Sequence, residues 1–240
     1  MTRTWWMLTA ATLAGAMLPA QAFAQDDARA RKIMEDAFNR RYRWDNDFKG
    51  FSADFSLFSD GKTLKGKIKA DATKMHGGVT VECDNEDAKK LVSDVISSTI
   101  THTRASSFDK AFGGCSFAIS GEGSRGGTKI ALKGHAFFKD FTIKDGNITE
   151  NHGGHGDMTS EVTVDQVVLL VDSGKLLPRS YSFSIKIDDK EDWGKNLETW
   201  TDVDQVWLPT SWRLSRTEAG SDLEESTLVL DKVKVEKTSQ

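Results

Sequence analysis

The stretch Phe51-Ser52-Ala53-Asp54-Phe55-Ser56-Leu57, followed by Asp60-Gly61 and then Leu64-Lys65-Gly66-Lys67-Ile68-Lys69-Ala70, decides the fold. In its first arm Phe51, Ala53, Phe55 and Leu57 alternate with Ser52, Asp54 and Ser56. A period of two places the apolar set on one face of a strand. A two-residue hairpin turn needs positive φ at both central positions, and Asp-Gly supplies them cheaply. In the second arm Leu64, Gly66, Ile68 and Ala70 alternate with Lys65, Lys67 and Lys69. The whole reads as a half-buried antiparallel hairpin.

Working outward, Asp26 to Arg43 is predicted helical, with Ala30, Ile33, Met34, Ala37 and Phe38 at helical spacing. Val79 and Val81 suggest a third strand. Glu86 to Thr103 is the clearest helix. Ala88, Leu91, Val92, Val95, Ile96, Thr99, Ile100 and Thr103 fall on one face, and Asp84 or Asn85 can cap it. Glu86 and Asp87 complement its positive end. Phe108 to Gly114 reads as a loop or short turn. From Cys115 onward no helical period is found. Alternating segments recur through Phe117 and Ile119, Ile130 and Leu132, Phe138 to Ile143, Val162 to Val171, Tyr181 to Ile187, Leu197 to Val203, Val206 to Ser215 and Leu228 to Val235. So many antiparallel strands cannot stay flat, because strand twist accumulates across a sheet. The predicted class is α+β, mostly β: a curved antiparallel sheet with two amphipathic helices, as one domain over residues 25–240.

Residues 1–24 read as a leader. Arg3 is its only charge, Trp5 to Leu18 is mainly apolar, Pro19 breaks the run, and Ala22-Phe23-Ala24 is a small-x-small exit. The apolar run falls short of the roughly 20 residues a membrane span needs. This is the pattern of a cleaved signal peptide, with the cut between Ala24 and Gln25. The expectation is a periplasmic protein with no integral membrane segment after cleavage. The chain has 32 basic and 36 acidic side chains, a net charge of -4, which speaks against a nucleic-acid binder. Its 13 Phe and 7 Trp speak against a disordered chain. Cys83 and Cys115 are the two cysteines, each at a predicted strand end, in a compartment that permits oxidation. A disulfide between them is expected, contributing roughly 3–4 kcal/mol by loop closure; two free structural thiols are the alternative.

The order of leader, helix, paired strands, second helix and long meander resembles the LolA-like superfamily of periplasmic lipoprotein carriers. Val206-Trp207-Leu208-Pro209 followed by Leu228 to Val235 is similar to that superfamily's closing strands, and Phe51 to Ala70 is similar to its opening hairpin. Arg41-Tyr42-Arg43-Trp44, Phe48-x-Gly50-Phe51, the His102 region and Phe141 to His152 are closer to an uncharacterised bacterial domain-of-unknown-function family. The resemblance implies an unclosed β-barrel lined by helices. It implies no chemistry, because fold does not fix function.

The polar constellations have mostly structural readings. His152-Gly153-Gly154-His155-Gly156-Asp157 offers two imidazoles and a carboxylate, ligands that suit zinc or iron. A metal site at His152 and His155 needs further rigid ligands, and His102 and His135 would have to join them. Gly121 to Gly127 opens no helix and reads as a hairpin turn rather than a phosphate loop. Asp188, Asp189, Glu191 and Asp192 read as a solvated loop. No nucleophile motif is present. Trp200 and Trp212 lie in polar-alternating strands, where they pack a core or line a lipophilic cavity. Phe55, Phe117, Phe183 and Ile185 are expected on one concave face, with Val95 on the helix above it, enclosing an apolar hollow.

The expectation is therefore a non-enzymatic binding or carrier module, without cofactor, for an apolar small molecule or a lipidated protein. The alternatives are a metal- or haem-handling protein using His152 and His155, and a ligand-free interaction protein that pairs through its strand edges.

Overall fold

A computed structural model describes residues 26–74, 78–170, 173–217 and 222–238. The expected leader and its Ala24–Gln25 cut lie outside the described residues, as does Val171. Helix α1 (Ala28–Arg40) is capped by Asp27, whose carboxylate accepts from the N–H groups of Arg29 and Ala30. It is shorter than the 26–43 expected from periodicity, because Arg41 turns extended, at φ -69° and ψ 137°.

Strands β1 (Phe48–Ser59) and β2 (Lys62–Asp71) form the expected hairpin. Leu57 faces Leu64, Ala53 faces Ile68 and Phe51 faces Ala70. Asp60 and Gly61 take φ of 49° and 70°, as that turn requires. Strand β3 (Val79–Glu82) and helix α2 (Glu86–Thr103) follow. Asn85 is the cap, accepting from the N–H of Ala88. The Phe108–Gly114 turn contains a third, five-residue helix, α3 (Phe108–Phe112), capped by Ser107. The two-helix expectation is corrected by this element, which is too short for its periodicity to register.

The rest is a meander: β4 (Ser116–Glu122), β5 (Thr128–Lys133), β6 (Phe138–Lys144), β7 (Asn147–His155), β8 (Met158–Leu170), β9 (Lys175–Ile187), β10 (Lys190–Val203), β11 (Val206–Thr217) and β12 (Glu224–Lys237). All lie in one 12-stranded sheet of order β3-β2-β1-β12-β11-β10-β9-β8-β7-β6-β5-β4, antiparallel throughout. Strands β3 and β4 are its edges, so the sheet is unclosed. Laid flat it would be about 50 Å wide, far more than one helix covers. Register shifts interrupt several ladders, and such bulges bend a sheet. Pro178 and Pro209, which cannot donate to a ladder, both sit at shifts, opposite Val167 and Trp200.

The helices roof the two ends of this sheet separately. Under α2, Val92, Val95, Ile96 and Ile100 pack with Phe51, Phe55, Leu57, Leu208, Trp212 and Leu228. Burying those four aliphatics favours docking of α2 by on the order of 6–12 kcal/mol before ordering costs. Under α1 and α3, Met34, Phe38, Phe108 and Phe112 pack with Phe117, Ile130, Phe141 and Ile143. Neither core draws its buried residues from β8, β9 or β10, which lie between them in the sheet.

The expected disulfide is overturned: Cys83 and Cys115 are free thiols. Cys83 follows edge strand β3 and packs on the first core. Cys115 precedes the opposite edge strand β4 and is buried in the second. Spacing along the chain carries no information about this separation.

Candidate functional site

Leaving α1, residues 41–44 run extended across the inner face as a strap. Arg41 bridges to Leu176 at the start of β9, and the N–H of Tyr42 donates to the carbonyl of Leu176 at 2.8 Å. The N–H of Trp44 donates to the carbonyl of Thr103, at the end of α2. The strap thus joins the two cores and passes over the middle of the sheet.

The wall it faces is built by cross-strand pairing, since paired residues share a face. Tyr181 pairs with Asn196, Phe183 with Gly194, Gly194 with Arg216, and Glu198 with Trp212. Trp212 continues to Leu228 and Leu57. Phe183 continues through Val162, Asn151 and Phe141 to Ile130. The face is therefore continuous across the sheet, and Phe55, Phe117, Phe183 and Ile185 all lie on it. They are not brought together. Phe55 is buried under α2, against the core to which Val95 of that helix belongs, and Phe117 is buried in the α1 core, while Phe183 and Ile185 are half-buried and belong to neither. Gly194 makes room for the Phe183 ring, because a Cβ there would fall 2.3 Å from its Cζ.

On this wall Asn196 donates from Nδ2 to Tyr181 Oη at 2.7 Å, and Tyr181 Oη donates to Glu198 Oε1 at 3.4 Å. Glu198 is 5% exposed. Burial pushes its pKa up to about 7, against the opposing influence of Tyr181, Trp200, Trp212 and Arg41. Burial also raises the Tyr181 phenol. Trp200 is committed elsewhere, donating to the carbonyl of Pro178 at 2.8 Å. The N–H of Trp212 lies near Glu198 but forms no hydrogen bond of proper geometry.

The opposite side is cationic. Burial lowers the pKa of Arg41, against the pull of Glu198. Arg43 is pushed down to about 10, by burial first and then by Arg41 and Arg104. Its guanidinium lies over the Phe38 ring at 4.1 Å. His102 is pushed down to about 4, by burial and then by Arg41 and Arg43. His102 is nevertheless reached by solvent. Among the described residues, four buried polar side-chain atoms lack a hydrogen-bond partner: Arg43 Nε, Asn196 Oδ1, Trp212 Nε1 and Arg216 Nε. Every one belongs to the strap or to this inner wall.

The histidine motif lies elsewhere. His152 contacts Asp140 at 2.5 Å and reaches Glu161 at 3.6 Å. Strand alternation sends His155 to the other face of β7, so the pair cannot share an ion. Among the described residues no cluster of His, Cys, Asp and Glu could hold a metal, and no helix is long and apolar enough to cross a membrane. Gly123 to Gly127 form the β4–β5 turn, while Gly121 and Glu122, expected in the loop, end strand β4. Of the acidic run, Glu191 and Asp192 belong to β10 rather than to a loop.

These features define an open antiparallel sheet, helix-roofed at both ends, with a cluster of cationic side chains between its two cores. Residues 25–235 match a family described as Protein of unknown function (DUF3386), and the chain belongs to that family. No curated protein matches the sequence. Two solved structures are similar in outline: MucB in complex with MucA(peri), and the MucA/MucB complex of Pseudomonas aeruginosa. Both are 8% identical, with a TM-score of 0.21, covering 87% and 88% of this chain and 100% of theirs. That likeness is weak.

Proposed function

We propose that this chain is an exported, non-enzymatic binding module that holds an apolar ligand, free or borne on a protein, against the middle of its concave face. The observation that carries the reading is the stretch between the two cores, where Phe183 and Ile185 remain half-buried and belong to neither core. Half-buried aromatic and aliphatic groups in a concavity gain by covering themselves with an apolar molecule. Export is supported by the family match, which begins at residue 25, the first residue after the expected cut.

Titration with an environment-sensitive apolar dye tests the reading. Wild type should bind it saturably, and Phe183→Asp should weaken binding at least tenfold while the unfolding midpoint moves little. Absence of dye binding by folded wild type overturns the proposal. Native mass spectrometry of protein taken from its own periplasm should show a lipid-sized adduct.

A further inference from the structure

Resting on that reading, we infer that the ligand carries an oxyanion, a carboxylate or a phosphate, which Arg41 and Arg43 receive beneath the strap. Arg41 makes no ion pair or side-chain hydrogen bond within the described residues, although Glu198 is near enough to act on it electrostatically. Arg43 stands close to both Arg41 and Arg104, and none of the three arginines forms an ion pair among the described residues. Glu198 offers less than a full negative charge near neutral pH. The hollow therefore carries an excess of buried positive charge, which an incoming anion relieves. Charge-assisted hydrogen bonds to a guanidinium fork are among the strongest available to a protein.

The unpartnered atoms supply an independent indication. Two of them are donors near the strap, Arg43 Nε and, beside Glu198, Trp212 Nε1; Arg216 Nε lies further along the wall, level with Gly194 and Phe183. Trp212 is 1% exposed, so its N–H has no route to bulk water. Buried donors without acceptors are costly, and an oxyanion brings several acceptors at once. Asn196, 7% exposed, leaves Oδ1 open to a donor, such as water accompanying the headgroup.

Direction follows from register. The strap crosses where β9 starts, next to the Glu198 end of β10. From Glu198 the inner wall runs past Asn196 and Gly194 to Asp192, the partner of Ile185. Six strand residues span about 20 Å, enough for an extended acyl chain lying over Tyr181, Phe183 and Ile185 with its headgroup at the arginines.

Competition titrations with hexadecanoate, hexadecanol and inorganic phosphate test this. Wild type should bind the acid at least tenfold more tightly than the alcohol, and Arg41→Gln should erase that preference. Equal affinity for acid and alcohol in wild type overturns the oxyanion site and leaves the apolar hollow standing. Binding of neither overturns the hollow itself. Phosphate displacing the acid at comparable concentration supports the oxyanion contact and overturns the need for a tail. The wild-type comparison decides the matter even where Arg41→Gln fails to fold, and Arg41→Lys, which keeps the charge, should retain part of the preference.

Discussion

Trp44 donates its indole N–H to the carbonyl oxygen of Trp207 at 3.0 Å, across 163 residues of chain. The same peptide unit is held from its other side, since the N–H of Trp207 donates to Tyr42 Oη at 3.0 Å. Two aromatic residues of the strap thus fix the first rungs of β11, while the alternate residues Arg41 and Arg43 are left for the hollow.

Trp44→Phe should destabilise the protein by about 2–4 kcal/mol, from lost core volume and a buried carbonyl left without its donor. Trp207→Phe should cost much less, because the acceptor is backbone and Trp207 is only half-buried. Urea unfolding midpoints of the two variants check this; equal losses would show that the hydrogen bond is not what matters.

Stability should respond to pH through Glu198. Its carboxyl ionises near 4.5 in the unfolded chain and at about 7 in the folded one. Between those values the folded chain holds a proton the unfolded chain has released, so rising pH favours unfolding. His102 acts in the opposite sense: its folded pKa of about 4 lies below the ordinary 6.5, so stability falls as pH drops through that window. Glu198→Gln should therefore be more stable than wild type at pH 8, by on the order of 1–3 kcal/mol, with the gap closing by pH 4. Denaturant titrations at both pH values measure it; a variant less stable at pH 8 contradicts the burial argument.

Both cysteines should alkylate in unfolded protein that has never been reduced. In the folded protein Cys83 should react first, because Cys115 is 7% exposed and burial raises its thiol pKa. An intact mass matching the oxidised pair would refute this.

The β10–β11 turn places Asp204 and Gln205 at φ of 53° and 66°. Gln205 pays the left-handed penalty with no Asp-Gly advantage. Gln205→Gly should raise stability by about 0.5–1 kcal/mol, read as a higher melting temperature. No change would mean that the Asp202 carboxylate, which accepts the Gln205 N–H at 2.8 Å, already offsets the strain.

Where apolar spacing and local turn chemistry agree, the fold was legible. Helix α2 has the limits expected from its stripe, and both Asp-Gly pairs, at 60–61 and 145–146, are hairpin turns with two positive φ values. The site was hidden for a definite reason. In β10 the inner face carries Asn196 and Glu198, both buried, while Leu197 looks the other way and is less covered. Alternation read for apolar residues assigns those two to solvent. The available signal was their common parity with Trp200, opposite Trp212 and Leu214. The arginines were visible only as part of the 41–44 motif, since an extended strap has no hydrophobic period.

The partner of β1 is β12, from Phe48 opposite Lys237 to Ser59 opposite Ser226. This pairing imposes an order of assembly. The meander β4 to β12 can grow by adding neighbours, but the amino-terminal hairpin has no sheet to join until the last strand exists, and closing so long a loop is slow. A nascent or carboxyl-terminally trimmed chain keeps the hairpin's apolar face, from Phe51 to Leu57, without its cover. The completed chain should therefore acquire its hollow in one late step rather than strand by strand.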